Sequence, residues 1–150
     1  MLKDQIDLLS AFNAHNVRYL IVGGHAVNIY TQARSTKDLD VWVDPGDSNS
    51  LLVFKALAEF GAPLSGMTPA DFQTQSRNYF QIGVEPDRIV LHELSGVRFE
   101  QAWEASVRGS VDGVPVRFIS REHLIENKQA AGRLRDLADV EDIRKFAKGK

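Results

Sequence analysis

The chain has no cysteine, which excludes disulfide bonds and thiolate metal sites. It also lacks any apolar run near the roughly 20 residues that a membrane-spanning helix needs. Met1-Leu2-Lys3-Asp4 does not begin a secretory signal, so a cytoplasmic protein is expected. Charge of either sign is not in surplus. The formal net charge is −2, which implies no general affinity for polyanions, so any nucleic-acid contact has to be local. There is no Walker-type P-loop, no pair of histidines at metalloprotease spacing and no serine-nucleophile elbow. What remains is ordinary globular material: 150 residues, 43% hydrophobic and 25% charged, enough for one domain with a buried core.

Against that plain background one segment stands out. Tyr19 to Val22 is apolar and ends in Gly23-Gly24, and a short helical stretch follows. The chain then reads Arg34-Ser35-Thr36-Lys37-Asp38-Leu39-Asp40-Val41-Trp42-Val43. Side chains alternate across a strand, so Asp38, Asp40 and Trp42 fall on one face. Aspartate is depleted in strands, and two carboxylates this close repel unless a cation lies between them. Oxygen ligands suit Mg2+, and glycines at a helix start let a phosphate approach backbone N–H groups. Asp38 and Asp40 are therefore candidate metal ligands and catalytic residues. Gly23 and Gly24 are the candidate triphosphate cradle. His25, directly after the glycines, reads as the start of a helix.

This arrangement resembles the nucleotidyltransferase superfamily with the DNA polymerase β-like catalytic fold. Within it, Arg34, Thr36, Asp38, Leu39 and Asp40 are similar to the Arg-x-Thr-x-Asp-apolar-Asp pattern of minimal nucleotidyltransferases, a branch that includes abortive-infection and toxin–antitoxin members. Asn127-Lys128 through Gly132-Arg133-Leu134-Arg135-Asp136-Leu137-Ala138-Asp139-Val140 resembles that branch's closing helices, so the likeness spans about residues 17 to 143. It implies Mg2+-dependent transfer of a nucleoside monophosphate from a nucleoside triphosphate to an acceptor hydroxyl on RNA, protein or a small molecule. It also implies nucleotide contacts from Gly23, Gly24, Arg34, Thr36 and Lys128, and a possible toxin or antitoxin partner protein. From the residues alone, Arg34 is equally a surface arginine beside an acid, and Lys128 reads rather as part of a solvated helix face.

The pattern departs from the superfamily at one position. A third carboxylate is expected on a later strand, and there the chain reads Arg88-Ile89-Val90-Leu91-His92-Glu93-Leu94. Valine at 90 neither binds Mg2+ nor accepts a proton. By alternation His92 shares the face of Val90, and Glu93 points the other way unless a bulge intervenes. Two readings stay open: an enzyme in which His92 or Glu93 substitutes, or a degenerate member that binds nucleotide or a partner as an antitoxin-like module.

The remaining signals give an α+β fold, a mixed sheet of about five strands with helices packed on it. Leu2, Ile6, Leu9 and Phe12 predict a first amphipathic helix over 3–15. Strands are expected at 17–22, 39–43, 79–84 and 88–94, the last two joined by Glu85-Pro86-Asp87. Helices are expected at 24–31, from an Asp47 or Ser48 cap to Phe60 with a stop at Gly61, and at 99–106. Residues 61–76 read as a loop with one helical turn. Asp112-Gly113 marks a hairpin whose Pro115 restricts the second strand to an edge or a bulge. Ser120 caps a helix to Ala131, Gly132 breaks it, and a final helix runs from 134 to 146, so the C-terminal helices cover about 120–147.

Overall fold

A computed structural model describes residues 1–32, 35–73, 80–83, 88–92, 94 and 96–148, the side chains of 147 and 148 excepted. In chain order the elements are α1 (Lys3–Ala14), β1 (Tyr19–Val22), α2 (Gly23–Tyr30), β2 (Leu39–Val43) and α3 (Asp47–Phe60). A 3-10 turn (Pro69–Phe72), β3 (Phe80–Ile82), β4 (Ile89–Leu91), α4 (Phe99–Glu104), β5 (Val107–Val111), β6 (Val114–Phe118), α5 (Arg121–Ala131) and α6 (Leu134–Lys148) follow.

The six strands form one mixed sheet in the order β3-β4-β2-β1-β6-β5. β1 runs antiparallel to β2, with Val22 opposite Asp40, and parallel to β6 at Ile21 and Phe118. β2 runs parallel to β4, setting Leu39, Asp40 and Val41 beside Ile89, Val90 and Leu91. Strands 19–22 and 39–43 are thus neighbours with α2 between them in the chain, as the apolar run and glycine turn led one to expect. Every residue of β1 is buried, and successive side chains face opposite ways, so the sheet centre is covered on both sides. α1 packs with α3 and on β6, whereas α2 packs with α5 and α6 and on β1 and β2.

Several expectations change in detail. The buried stripe of α1 is Gln5, Leu8, Leu9 and Phe12, an i, i+3, i+4, i+7 set, while Leu2 is 43% exposed. Gln5 joins it because its amide is satisfied: Nε2 donates to the Lys37 carbonyl at 2.6 Å, and Oε1 accepts the Leu2 N–H at 3.1 Å. The cap of α3 is Gly46, not Asp47 or Ser48, and makes no side-chain hydrogen bond; Asp44 Oδ1 instead accepts the Gly46 N–H. β6 is not an edge strand. Its proline is tolerated because Pro115 lies at the far end from the Phe118–Ile21 pairing, opposite Ser110 of the edge strand β5. The sheet has six strands because both arms of the Asp112-Gly113 hairpin join it. β3 and β4 pair antiparallel, while Tyr79 and the Glu85-Pro86-Asp87 connection lie outside the described residues.

Helix ends follow local chemistry. Gly61 and Gly132 sit in the left-handed region at φ 98° and 68° and close α3 and α5. Ser120 accepts the His123 N–H at 3.1 Å and caps α5. Ser120→Ala should therefore lower stability by about 1 kcal/mol, read as a urea midpoint shift at unchanged slope. No measurable shift would mean that the cap does not hold the helix start. No helix among the described residues is long and apolar enough to cross a membrane.

Candidate functional site

The site is built where β1 ends, α2 begins and β2 starts. Gly23 has φ 67°, a conformation that side chains with a Cβ disfavour. Its missing side chain is filled by a neighbour: a Cβ here would stand 2.7 Å from Cγ of Asp40, in overlap with its carboxylate. Gly24 meets Thr36 in the same way, with Thr36 Oγ1 2.5 Å from a Cβ at that position. The two glycines thus let Asp40 and Thr36 close onto the backbone turn. Gly23, Gly24, Thr36 and Asp40 are thus brought together at the turn.

Asp38 and Asp40 share one face of the β2 edge, with Leu39 and Val41 fully buried on the other. The parallel register carries this face across to β4, where Arg88, Val90 and His92 repeat the period of two. Arg88 Nε donates to Asp38 Oδ2 at 2.9 Å. His92 Nε2 lies 3.4 Å from Asp40 Oδ1. Val90 sits beside Asp40 in register, is 8% exposed, and stands outside the main apolar cluster. Trp42 continues the face but is covered, edge-on to Phe99 of α4 with ring centroids 5.0 Å apart.

Asp38 Oδ1 and His25 Nε2 are buried here without a hydrogen-bond partner among the described residues. Burial pushes the His25 imidazole below its ordinary range, the chain's N-terminal charge adds to this, and Asp40 opposes both. A buried carboxylate oxygen with no donor is costly, and a hard divalent cation is the partner such oxygens take. The donor set therefore fits a divalent ion held by Asp38 and Asp40, with Asp40 seated on the glycine turn. No cluster of three or more His, Cys, Asp or Glu residues suited to a metal occurs among the described residues.

The other sequence candidates fall in different places. Arg34 and Glu93 lie outside the described residues. Lys128, 11% exposed in its side chain, meets Asp136 Oδ1 at 3.4 Å and Asp139 Oδ2 at 3.1 Å where α5 packs on α6. Its ion-pair partners are on the closing helix, not Asp38 or Asp40. Burial would push the Asp136 carboxyl up, but the Arg133 hydrogen bonds and the Lys128 and Arg133 charges outweigh it and hold it below the usual range.

Sequence reasoning missed Arg88 and Gln5. Arg88 was legible in principle, since Arg88-x-Val90-x-His92 repeats the spacing of Asp38-x-Asp40-x-Trp42. Gln5 carried no signal, because a polar residue near a helix start reads as solvent-facing.

No family model and no curated protein matches the chain by sequence. Solved structures do match by shape. The lincosamide antibiotic adenylyltransferase LnuA, bound to lincomycin, superposes with TM-score 0.61 at 14% identity, covering 97% of this chain and 98% of that one. The antibiotic-resistance enzyme ANT(2'')-Ia, in complex with adenylyl-2''-tobramycin, gives 0.58 at 16%, over 94% and 88%. A candidate nucleotidyltransferase from Thermotoga maritima gives 0.56 at 10%, over 100% and 97%. At such identities the likeness is one of architecture, and on that ground the chain carries the nucleotidyltransferase fold, an α+β mixed sheet with its glycine turn and paired aspartates at one end of the central strands.

Proposed function

We propose that the chain is a Mg2+-dependent nucleotidyltransferase, moving a nucleoside monophosphate from a nucleoside triphosphate to an acceptor hydroxyl. One observation carries the reading: Asp40 is seated on the Gly23 turn while the neighbouring Asp38 leaves a buried oxygen without a donor among the described residues. In this reading Asp38 and Asp40 hold the divalent ion, which when bound supplies charge stabilisation for the triphosphate and the departing pyrophosphate. Gly23 and Gly24 admit the phosphates to the α2 start, Thr36 borders them, and Arg34 is the proposed guanidinium clamp. Arg88 holds Asp38 by Oδ2, which leaves Oδ1 for the ion. Lys128 contributes by approach from α5, at the expense of its contacts with Asp136 and Asp139.

The neighbours' own chemistry narrows the acceptor test. LnuA was solved with lincomycin and ANT(2'')-Ia with an adenylylated tobramycin, so among RNA, protein and small-molecule acceptors hydroxylated small molecules are the first to try. The assay is label transfer from each labelled nucleoside triphosphate with Mg2+ to these three classes. Transfer to none of them, with nucleotide still bound, favours the second reading.

That second reading is a nucleotide-binding or antitoxin-like module, and Val90 beside Asp40 is the observation that favours it. Both readings share one binding prediction. A nucleoside triphosphate with Mg2+ at a hundred times its Kd should stabilise the protein by about 2.7 kcal/mol. EDTA should abolish the shift, since the triphosphate would then face two uncompensated carboxylates. Asp38→Asn with Asp40→Asn should remove most of it. Equal thermal shifts with and without EDTA would sink the two-aspartate metal site.

A further inference from the structure

At the opposite end of β1 from the glycine turn, the β5–β6 hairpin carries an arrangement that the proposed transfer chemistry does not use. Arg108 and Arg117 are direct cross-strand partners. Like charges placed opposite one another destabilise a sheet, so such a pair asks for a compensating anion. None is supplied by the fold: no carboxylate pairs with either side chain among the described residues. Arg117 Nη1 donates to Ser106 Oγ at 2.8 Å, and its guanidinium lies 4.2 Å from the Trp103 ring centroid. Arg18 adds a third guanidinium, 4.8 Å from the same ring, but it is neutralised by Asp44 at 2.9 Å and Glu100 at 3.0 Å.

These residues border a cavity of about 240 Å³, whose lining includes Asn13, Tyr19, Trp103, Arg108 and Arg117. Its lining contains no acid, and Tyr19 Oη donates to Asn13 Oδ1 and Asn13 Nδ2 to the Pro115 carbonyl, so the two arginines are the donors that face a ligand. Burial, together with the Arg108 and Arg18 charges, pulls the Arg117 guanidinium below its ordinary range, the response expected of a cation crowded by cations. Trp103 stacks on Phe99 and takes the Arg18 and Arg117 guanidiniums, so the ring holds those two in place rather than offering itself to a base. The planar forks of Arg108 and Arg117 match phosphate oxygens bidentately.

We propose that this cavity is a phosphate-binding site, held by Arg108 and Arg117, for a small ligand of pyrophosphate size. The volume lies below the range for larger organic ligands, and the net charge of −2 argues against a track for a nucleic-acid backbone. The site is separate from the paired aspartates, so it stands or falls independently of the proposed activity.

Inorganic pyrophosphate titrated into the full chain in EDTA, at ionic strength matched with chloride, tests it by calorimetry and thermal shift. EDTA removes any metal-bridged binding at Asp38 and Asp40. The expected result is saturable one-to-one binding that Arg108→Ala weakens at least tenfold. Arg108 is exposed, so this variant should fold. Its melting temperature without ligand should equal or exceed that of the wild type, because the like-charge pair is gone. Arg108→Glu, which places an acid opposite Arg117, should abolish binding and raise the melting temperature further. No binding to wild type, or equal binding to wild type and Arg108→Ala, overturns the proposal. So does a ligand-free Arg108→Ala protein clearly less stable than wild type, since the pair would then be supporting the hairpin rather than awaiting an anion.

Discussion

Gly23→Ala should destabilise the protein by about 2–5 kcal/mol, a large share of the roughly 5–15 kcal/mol that holds a domain of this kind folded. Two causes add. The backbone at φ 67° is disfavoured for alanine, and the new methyl would overlap the Asp40 carboxylate, 2.7 Å from its Cγ and 2.8 Å from its Cβ. Asp40 has little room to retreat, because β2 is held between β1 and β4 on both edges. Gly113→Ala separates the two causes. Gly113 also has positive φ, at 82°, but a Cβ there meets nothing within 4 Å, so only backbone strain applies. Gly24→Ala gives the intermediate case, since Thr36 Oγ1 is a side-chain end that rotates away while Thr36 Cβ, 3.2 Å from the new methyl, has to yield only a few tenths of an ångström. Urea unfolding of the three variants should rank Gly23→Ala well below the other two. If Gly23→Ala loses no more than Gly113→Ala, Asp40 is not seated on the turn, and the cradle described above is wrong. Where Gly23→Ala stays folded, its Mg2+-nucleotide stabilisation should be lost.

The contrast between these glycines shows what a sequence discloses. Gly23-Gly24 followed by Asp38-x-Asp40 was legible because each signal is local: a turn needing positive φ, and a period of two. Together they placed β1, α2 and β2 correctly and brought the four candidate residues together. The Ser120 cap and the glycine stops at 61 and 132 were readable for the same reason, each being set by one residue's own chemistry. What could not be read depended on partners that only packing brings together. Gln5 is buried because a carbonyl 32 residues away accepts its amide. Lys128 points to α6 because two helices pack there, and helix surface charge alone does not reveal which neighbour wins. Pro115 sits inside the sheet because the pairing of β6 with β1 lies at the other end of the strand. The Arg108–Arg117 pair appears only once the hairpin register is fixed.

Val90 decides between enzyme and binding module, and its register makes the test direct. Paired strands lie about 4.8 Å apart, so the Val90 side chain emerges beside that of Asp40 on the same face. Val90→Asp therefore places a third carboxylate next to the pair. Without metal it should destabilise the protein, since a buried acid beside Asp40 repels it; with Mg2+ much of the loss should return. If the missing carboxylate is what limits transfer, wild type should bind nucleotide yet transfer label slowly, and Val90→Asp should raise the rate by about 10²–10⁴, the usual worth of general-base assistance. If His92, 3.4 Å from Asp40, has taken that place, wild type is already active. His92→Ala should then cost a similar factor while leaving the Mg2+-nucleotide thermal shift intact, and Val90→Asp should change little. Glu93→Gln completes the set, since Glu93 was the other residue able to stand in. Label transfer and thermal shift measured for wild type and these three variants in parallel separate the cases. An inactive wild type that Val90→Asp fails to rescue, with nucleotide still bound, rejects the transferase and leaves the binding module.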